Sequence, residues 1–321
     1  RGPRTAGQRR STPAMNRALH LAFAIAAALW LCPVTDGLAA AAKQQSFASP
    51  EQAVTALVAA VRTNNRDALL KIFGPAGKDL IFSGDAVADR NGRTHFLAAY
   101  AAMNRIDQQG ARATLVLGPD AWPFPIPLER RGKIWRFDTK AGREQILDRR
   151  IGRNELAAIE VCRAYVDAQR EYASQDRNGD GILEYAQHFM SGPGLHDGLY
   201  WPAASGEEQS PMGELVADAR AQGYEGRQGA NKPAPYQGYY YRILTGQGPS
   251  APGGASEYIV KGHMIGGFAL VAFPAKWGDS GIMTFIVNQD GVVYQKNLGP
   301  DTAALAARMT LFDPDASWSK P

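Results

Sequence analysis

The amino-acid sequence predicts an α+β fold: N-terminal helices with a small antiparallel sheet, then a long helix packed on a second antiparallel sheet. Three observations predict it. Apolar residues recur at three-to-four spacing up to about residue 103, and the period shortens to two between residues 113 and 137. Residues 154–174 carry the strongest helical stripe in the chain, with Leu156, Ile159, Cys162, Val166 and Ala173 on one face. From residue 238 onward, short alternating runs are separated by Gly, Pro and Asp turns.

The elements follow in order. Ser49-Pro50-Glu51-Gln52 reads as a helix N-terminus, with Ser49 as cap, Pro50 at the first helical position and Gln52 completing a capping box. Ala53, Val54, Leu57, Val58 and Val61 form its apolar face, and Asn64-Asn65 breaks it. Asp67–Phe73 is a second helix, stopped by Gly74-Pro75, and a third spans about Ala86–Met103. Ala113–Leu117 is a strand. Phe124–Arg130 and Lys133–Phe137 form a hairpin around Arg131-Gly132, and Pro123, Pro125 and Pro127 mark an edge strand. A short helix near Arg143–Ile151 closes this region, and Gly152 marks a boundary between domains 43–152 and 153–321. After the long helix come an acidic loop, a short helix around Tyr185–Met190, another in 210–221 and a polar loop at 223–235. Strands follow at Gly238–Leu244, Glu257–Val260, Phe268–Phe273, Met283–Val287 and Val292–Lys296, with a turn at Gln289-Asp290-Gly291 and a last helix over Thr302–Thr310.

The first 42 residues read differently. From Met15, a basic Asn16-Arg17, an apolar Ala18–Leu31 and a small-residue Ala39–Ala42 follow the order of a secretory signal. Residues 1–14 are read as upstream sequence and 15–42 as a removed leader, which implies a periplasmic or secreted protein. The chain has 35 basic and 31 acidic residues; the leader holds five Arg and one Asp, so 43–321 carries 30 of each. That neutrality removes the electrostatic case for nucleic acid and for anionic lipid surfaces. No other apolar run approaches the roughly 18–20 residues of a membrane span. Cys162 is the one cysteine in 43–321, so no internal disulfide forms.

One segment carries a metal-like pattern. In 176–187, Asp176, Asn178 and Asp180 fall at positions 1, 3 and 5 of an EF-hand-like loop; Ile182 would offer its carbonyl, and Glu184 falls at position 9. Gln187 stands where the bidentate Glu belongs, so Ca2+ would be held weakly; an Asx-rich turn is the plainer reading. The other candidates are weaker. Gly278-Asp279-Ser280-Gly281 is similar over four residues to a serine-protease nucleophile segment, but a tight turn explains it. His196-Asp197 is a candidate acid–base pair, Tyr236, Tyr239, Tyr240 and Tyr241 a candidate stacking surface, and Cys162 a small buried hydrophobe. His95, His188, His196 and His263 show no metal spacing.

Several longer words point to one group. They are Asp148–Leu156 (DRRIGRNEL), Tyr165–Tyr172 (YVDAQREY), Asp197–Pro202 (DGLYWP), Gly266–Val271 (GGFALV), Thr284–Asn288 (TFIVN) and Gly291–Tyr294 (GVVY). On these the chain resembles the bacterial exported family catalogued as domain of unknown function 2950, over about residues 47–318. That resemblance implies no activity and brings no catalytic residues. Residues 154–296 also resemble pilin-like and pseudopilin-like domains. The shared order is a long helix, Gly238-Tyr239-Tyr240-Tyr241, Ala272-Phe273-Pro274, Gly278–Gly281, Thr284–Val287 and Asp290-Gly291-Val292. The likeness implies a pilin-like helix-on-sheet fold.

The expectation is an exported, non-catalytic binding or structural protein of the cell envelope, with calcium bracing the 176–187 loop. Its partner would be an envelope protein or polymer. An exposed aromatic groove would support this, and a deep pocket with converging charged groups would sink it. The alternative is a hydrolase acting on an envelope polymer, with Asp197, His196, His263 and Glu257 as candidates and two carboxylates in one cleft as its mark. A third expectation, an N-terminal small-molecule cone of the nuclear-transport-factor-like kind, rests only on helices followed by a curved sheet.

Overall fold

The computed structural model describes residues 44–321 apart from 205 and 225–233. The leader and most of the polar loop at 223–235 lie outside the described residues. Helix α1 (Pro50–Arg62) starts where the Ser49 hydroxyl accepts the Gln52 N–H at 3.3 Å. The Gln52 side chain accepts from the Ala48 N–H, one residue earlier than a capping box places it. Helix α2 (Arg66–Phe73) is capped by Asn65 and followed by a 3-10 turn (Pro75–Gly77) and α3 (Lys78–Ile81). Helix α4 (Ala86–Ala102) is capped by Asp85 and has no buried residue along its 17 positions.

The first sheet holds β1 (Asn104–Gln109), β2 (Arg112–Leu117), β3 (Trp122–Pro123), β4 (Leu128–Arg131) and β5 (Ile134–Phe137). It is antiparallel in the order β1-β2-β4-β5, with β3 on β2. The strand expected over 124–130 is corrected: β3 pairs with the end of β2 and β4 with its start. Pro125 and Pro127 lie in the gap between them, where a residue without an N–H breaks no ladder bond. Nor is β4 an edge; it lies between β2 and β5.

The helices expected at 143–151 and 154–174 are one. Helix α5 (Thr139–Tyr172) runs unbroken for 34 residues, about 50 Å at the usual rise. Gly152 sits exposed within it. The Asp138 carboxylate starts the helix by accepting the Ala141 N–H. One hydrophobic core lies around α1, α2 and the first sheet, with Ile146 of α5 against it. A second begins at Ala158 and takes in Cys162, Tyr165 and Val166 of the same helix.

The C-terminal part adds α6 (Gly213–Ala221), β6 (Tyr239–Leu244), β7 (Gly246–Gln247), β8 (Ser256–Glu257), β9 (Ile259–Val260), β10 (His263–Met264), β11 (Ala269–Pro274), β12 (Met283–Asn288), β13 (Tyr294–Asn297), α7 (Thr302–Arg308) and β14 (Leu311–Phe312). The main sheet is antiparallel, in the order β13-β12-β11-β6. Helix α5 packs on β11 and β12, and α7 and β14 also pack against β11. Ala269, Leu270, Val271 and Ala272 are all buried, as expected of a strand covered on both faces. The α+β class thus holds. The strand expected over 257–260 divides at the buried Tyr258 into β8 and β9, which belong to different small sheets.

The helix expected at 185–190 is absent. Gln169, fully buried on α5, both donates to the Ala186 carbonyl and accepts its N–H, each at 2.8 Å. The Tyr185 N–H reaches the Met264 carbonyl. These tertiary partners take the backbone groups a helix would use.

Three ties join the two parts of the chain. Asp85 is 1% exposed and caps α4 with one oxygen; the other accepts from the Tyr224 hydroxyl at 2.8 Å and the Gly238 N–H at 2.9 Å. Asp79 pairs with both Arg143 and Lys276, at 2.7 and 3.0 Å. Asn154, buried on α5, donates to the Ser280 carbonyl.

Candidate functional site

The 176–187 loop leaves the C-terminal end of α5. Asp176 uses both carboxylate oxygens on the Gly179 and Gly181 N–H groups, at 2.7 and 2.8 Å. Those N–H groups, Gly181's foremost, hold its carboxyl below the usual range. Both glycines have positive φ, which the tight loop needs. Asn178 donates to Asp180 and Glu184, at 2.9 and 2.8 Å. Asp180 accepts the Ile182 N–H. Gln187 turns away, donating to the Gly262 carbonyl at 2.7 Å. In its stead His263 of β10 reaches in, with Nδ1 3.2 Å from Glu184 and 3.5 Å from Asp180. Asp180, Glu184 and His263 can offer ligand atoms within 4.8 Å of one another. Arg177 anchors the loop: its nearly buried guanidinium pairs with Glu208 and lies 5.5 Å from the Trp201 ring.

Each of the hydrolase candidates has surroundings of its own. The His196 ring stacks on Trp201 at 4.2 Å, while Asp197 accepts the Gly192 N–H. His263 is in the acidic loop, and Glu257 is exposed on β8. Ser280 is fully buried and bonded to the Lys276 backbone. The tyrosines form no open platform: Tyr239 is buried with its hydroxyl on the Met283 carbonyl, Tyr240 rests against Phe273, and Tyr236 meets Tyr224 edge to face. Burial pushes the Cys162 thiol up to about 12, so it is inert at neutral pH. His188 is exposed, and His95 lies on the cavity described next.

One concavity among the described residues is marked by no short motif. Helices α1 to α5 and the first sheet enclose a cavity of about 770 Å³, within the ~300–1,000 Å³ typical of small-molecule pockets. Its deep wall is apolar, with Leu57, Leu69, Ile81, Leu117 and Ile126 all buried. Gln222, Tyr224 and Gln237 close it from the C-terminal part. Helix α4 is its outer wall, which explains a helix whose Phe96, Ala99 and Tyr100 are only half-buried. Arg93 of α4 and Arg149, Arg150 and Arg153 of α5 line it as well.

Asp89, also on α4, accepts from the Ser83 N–H at 3.2 Å. Burial raises its pKa despite that bond and the nearby Arg150 and Arg93. Arg150 is fixed by donating to the Asp79 and Leu80 carbonyls, at 2.7 and 2.9 Å. A break between 143–151 and 154–174 would separate Arg149 and Arg150 from Arg153. In one helix, Arg149 and Arg153 stand four residues apart on one face.

Fold and site together define a two-core α+β protein with a cation-lined apolar cavity in its N-terminal part and a histidine-closed acidic loop in its C-terminal part. Residues 44–320 match the model of the family described as protein of unknown function (DUF2950), and the chain belongs to that family. No curated protein and no solved structure matches it, so the likeness to pilin-like domains rests on motif order alone.

Proposed function

We propose that this is an exported, non-catalytic binding protein of the cell envelope that holds a small molecule in the N-terminal cavity. The cavity carries the reading: its volume and apolar wall suit an organic ligand. Charged groups do converge on it, the feature set above as the one that would sink a non-catalytic reading. They are mostly guanidiniums, however, which remain protonated and serve as anion anchors rather than proton carriers. Export rests on the leader pattern at 15–42, and with it the expectation of a ligand or partner in the envelope. The test is titration of the protein with N-phenyl-1-naphthylamine, an uncharged dye that brightens in apolar sites. Saturable one-to-one binding, lost in Ala99→Trp with the melt unchanged, is the expected result. Absence of saturable binding, or binding indifferent to Ala99→Trp, refutes the reading.

The acidic loop supports a second element, a calcium brace. Asp176, Asn178, Asp180, Glu184 and the Ile182 carbonyl remain the ligand set, without Gln187. His263 introduces a nitrogen that suits zinc-like ions better than calcium. A thermal melt in EDTA, then in graded calcium with magnesium as control, separates these possibilities, since a ligand of the folded state raises the midpoint. A calcium-specific rise lost in the Asp176→Ala, Asp180→Ala double variant supports the brace. A rise with zinc alone, lost in His263→Ala, replaces calcium with a transition metal. A flat response to every ion removes the brace.

A further inference from the structure

We propose that the cavity takes an anionic amphiphile, its apolar tail against the deep wall and its single carboxylate or phosphate head on the arginines of α4 and α5. This rests on the binding reading above and names the ligand class. Two features of the cavity argue for it. The first is the order of its lining by depth. The aliphatic residues of α1, α2 and β2 are buried, whereas Arg93 and Arg150 are partly exposed and Arg149 and Arg153 are exposed. A molecule filling the space therefore meets hydrocarbon inside and cations at the mouth. The second is charge balance. Four arginines line the cavity against two carboxylates, Asp89 and Asp120, with His95 beside them. None of the four arginines is ion-paired among the described residues.

Arg149 is placed by its own surroundings. Its guanidinium lies 5.9 Å from the Trp122 ring centre. A cation–π contact of this kind holds the guanidinium near the ring while its N–H groups stay available to an acceptor. Arg93 feels burial together with the like charges of Arg66 and Arg90, and its pKa is lowered in consequence, despite Asp89. An anion beside it would relieve that repulsion. A bidentate guanidinium contact fits a carboxylate or a phosphate equally well. The sparing supply of uncommitted polar side chains in the depth argues against a sugar or a nucleotide. Asn154 is spent on Ser280, and Tyr224 on Asp85.

The experiment uses the full-length protein loaded with the same neutral dye. Hexadecanoate and oleoyl-lysophosphatidate are expected to displace it. Hexadecanol and hexadecyltrimethylammonium, which share the tail without the anion, should compete about tenfold more weakly, the worth of roughly one charge-assisted hydrogen bond. Arg149→Gln with Arg153→Gln, both exposed positions that leave the core intact, should erase that difference while dye binding persists. Acetate and inorganic phosphate have no tail and should displace nothing. If the dye binds but the alcohol competes as well as the acid, the anionic class is wrong and the binding reading stands. If inorganic phosphate displaces the dye as well as the lipid does, the site is a phosphate site and the amphiphile is refuted. If the dye never binds, both readings fall together.

Discussion

Two glycines of α5 separate a continuous helix from a jointed one. Gly152 lies exposed in mid-helix, and a Cβ built there meets nothing within 4 Å. Gly142 lies buried in the same helix, where a Cβ would stand 2.4 Å from the Pro125 carbonyl oxygen and 2.7 Å from the Ile126 Cα. Gly152→Ala should therefore stabilise by about 0.5–1 kcal/mol, through helix propensity and a less disordered unfolded chain. Gly142→Ala should destabilise by about 1–3 kcal/mol, because the obstructing atoms are backbone and the helix must lift off the sheet. The two variants would then differ by roughly 3–16 °C in melting midpoint for a chain of this size. Circular dichroism melts and urea unfolding at fixed pH measure this directly. A neutral or destabilising Gly152→Ala would mean that the chain bends at Gly152 and that α5 is two helices. A Gly142→Ala as stable as the parent would mean that α5 does not lie on residues 125–126.

Asp85→Ala removes a helix cap and strands the Tyr224 hydroxyl and the Gly238 N–H. The expected loss is about 2–4 kcal/mol in urea unfolding, and a loss below about 1 kcal/mol would contradict its place at the junction. The carboxylates of the N-terminal part should give opposite pH profiles. Burial raises the pKa of Asp89, so its contribution is full below the unfolded value and is lost as pH rises through the folded one. Asp89→Asn should therefore gain on the parent in melts between pH 4 and pH 7; a variant that loses ground over that range overturns this. Arg143 foremost, and Lys276, lower the pKa of Asp79, so its contribution is present above the unfolded value and is lost as pH falls through the folded one. The penalty of Asp79→Asn should shrink as melts are taken from pH 7 towards pH 2.5, and a constant penalty refutes the ion pairs.

The parts of the fold written in the sequence are those with an apolar period. Ser49-Pro50 and the stripe of Ala53, Val54, Leu57, Val58 and Val61 place α1, and the alternation from 283 to 296 places β12 and β13. Strand β1 was illegible because Asn104–Gln109 has one apolar side chain, Ile106, and five exposed residues; its register with β2 alone makes it a strand. Gly152 suggested a break, yet an exposed glycine costs a 34-residue helix only about 1 kcal/mol, which its packing offsets. At the acidic loop, the spacing located Asp176, Asn178, Asp180 and Glu184. It could not supply His263, 79 residues beyond Glu184, because a partner from another strand leaves no local spacing. The cavity was legible only as a fold-level expectation. Its arginines come from α4 and α5, and nothing periodic joins Arg93 to Arg149.

The reach of α5 into both cores also sets an order of events on the growing chain. Its first turns can settle as soon as residues 44–146 exist, because their partners lie upstream. Its second half cannot. Asn154 waits for Ser280, 126 residues later, and Tyr165 for Ala269, 104 residues later. Until then a stripe of Ala158, Cys162, Tyr165 and Val166 stands bare on a helix already anchored at its other end. Closing contacts over such separations is slow, and the uncovered stripe is a surface on which unfinished molecules stick to one another. A fragment ending near residue 175 should collect in aggregates, because the residues that cover this stripe all lie later in the chain.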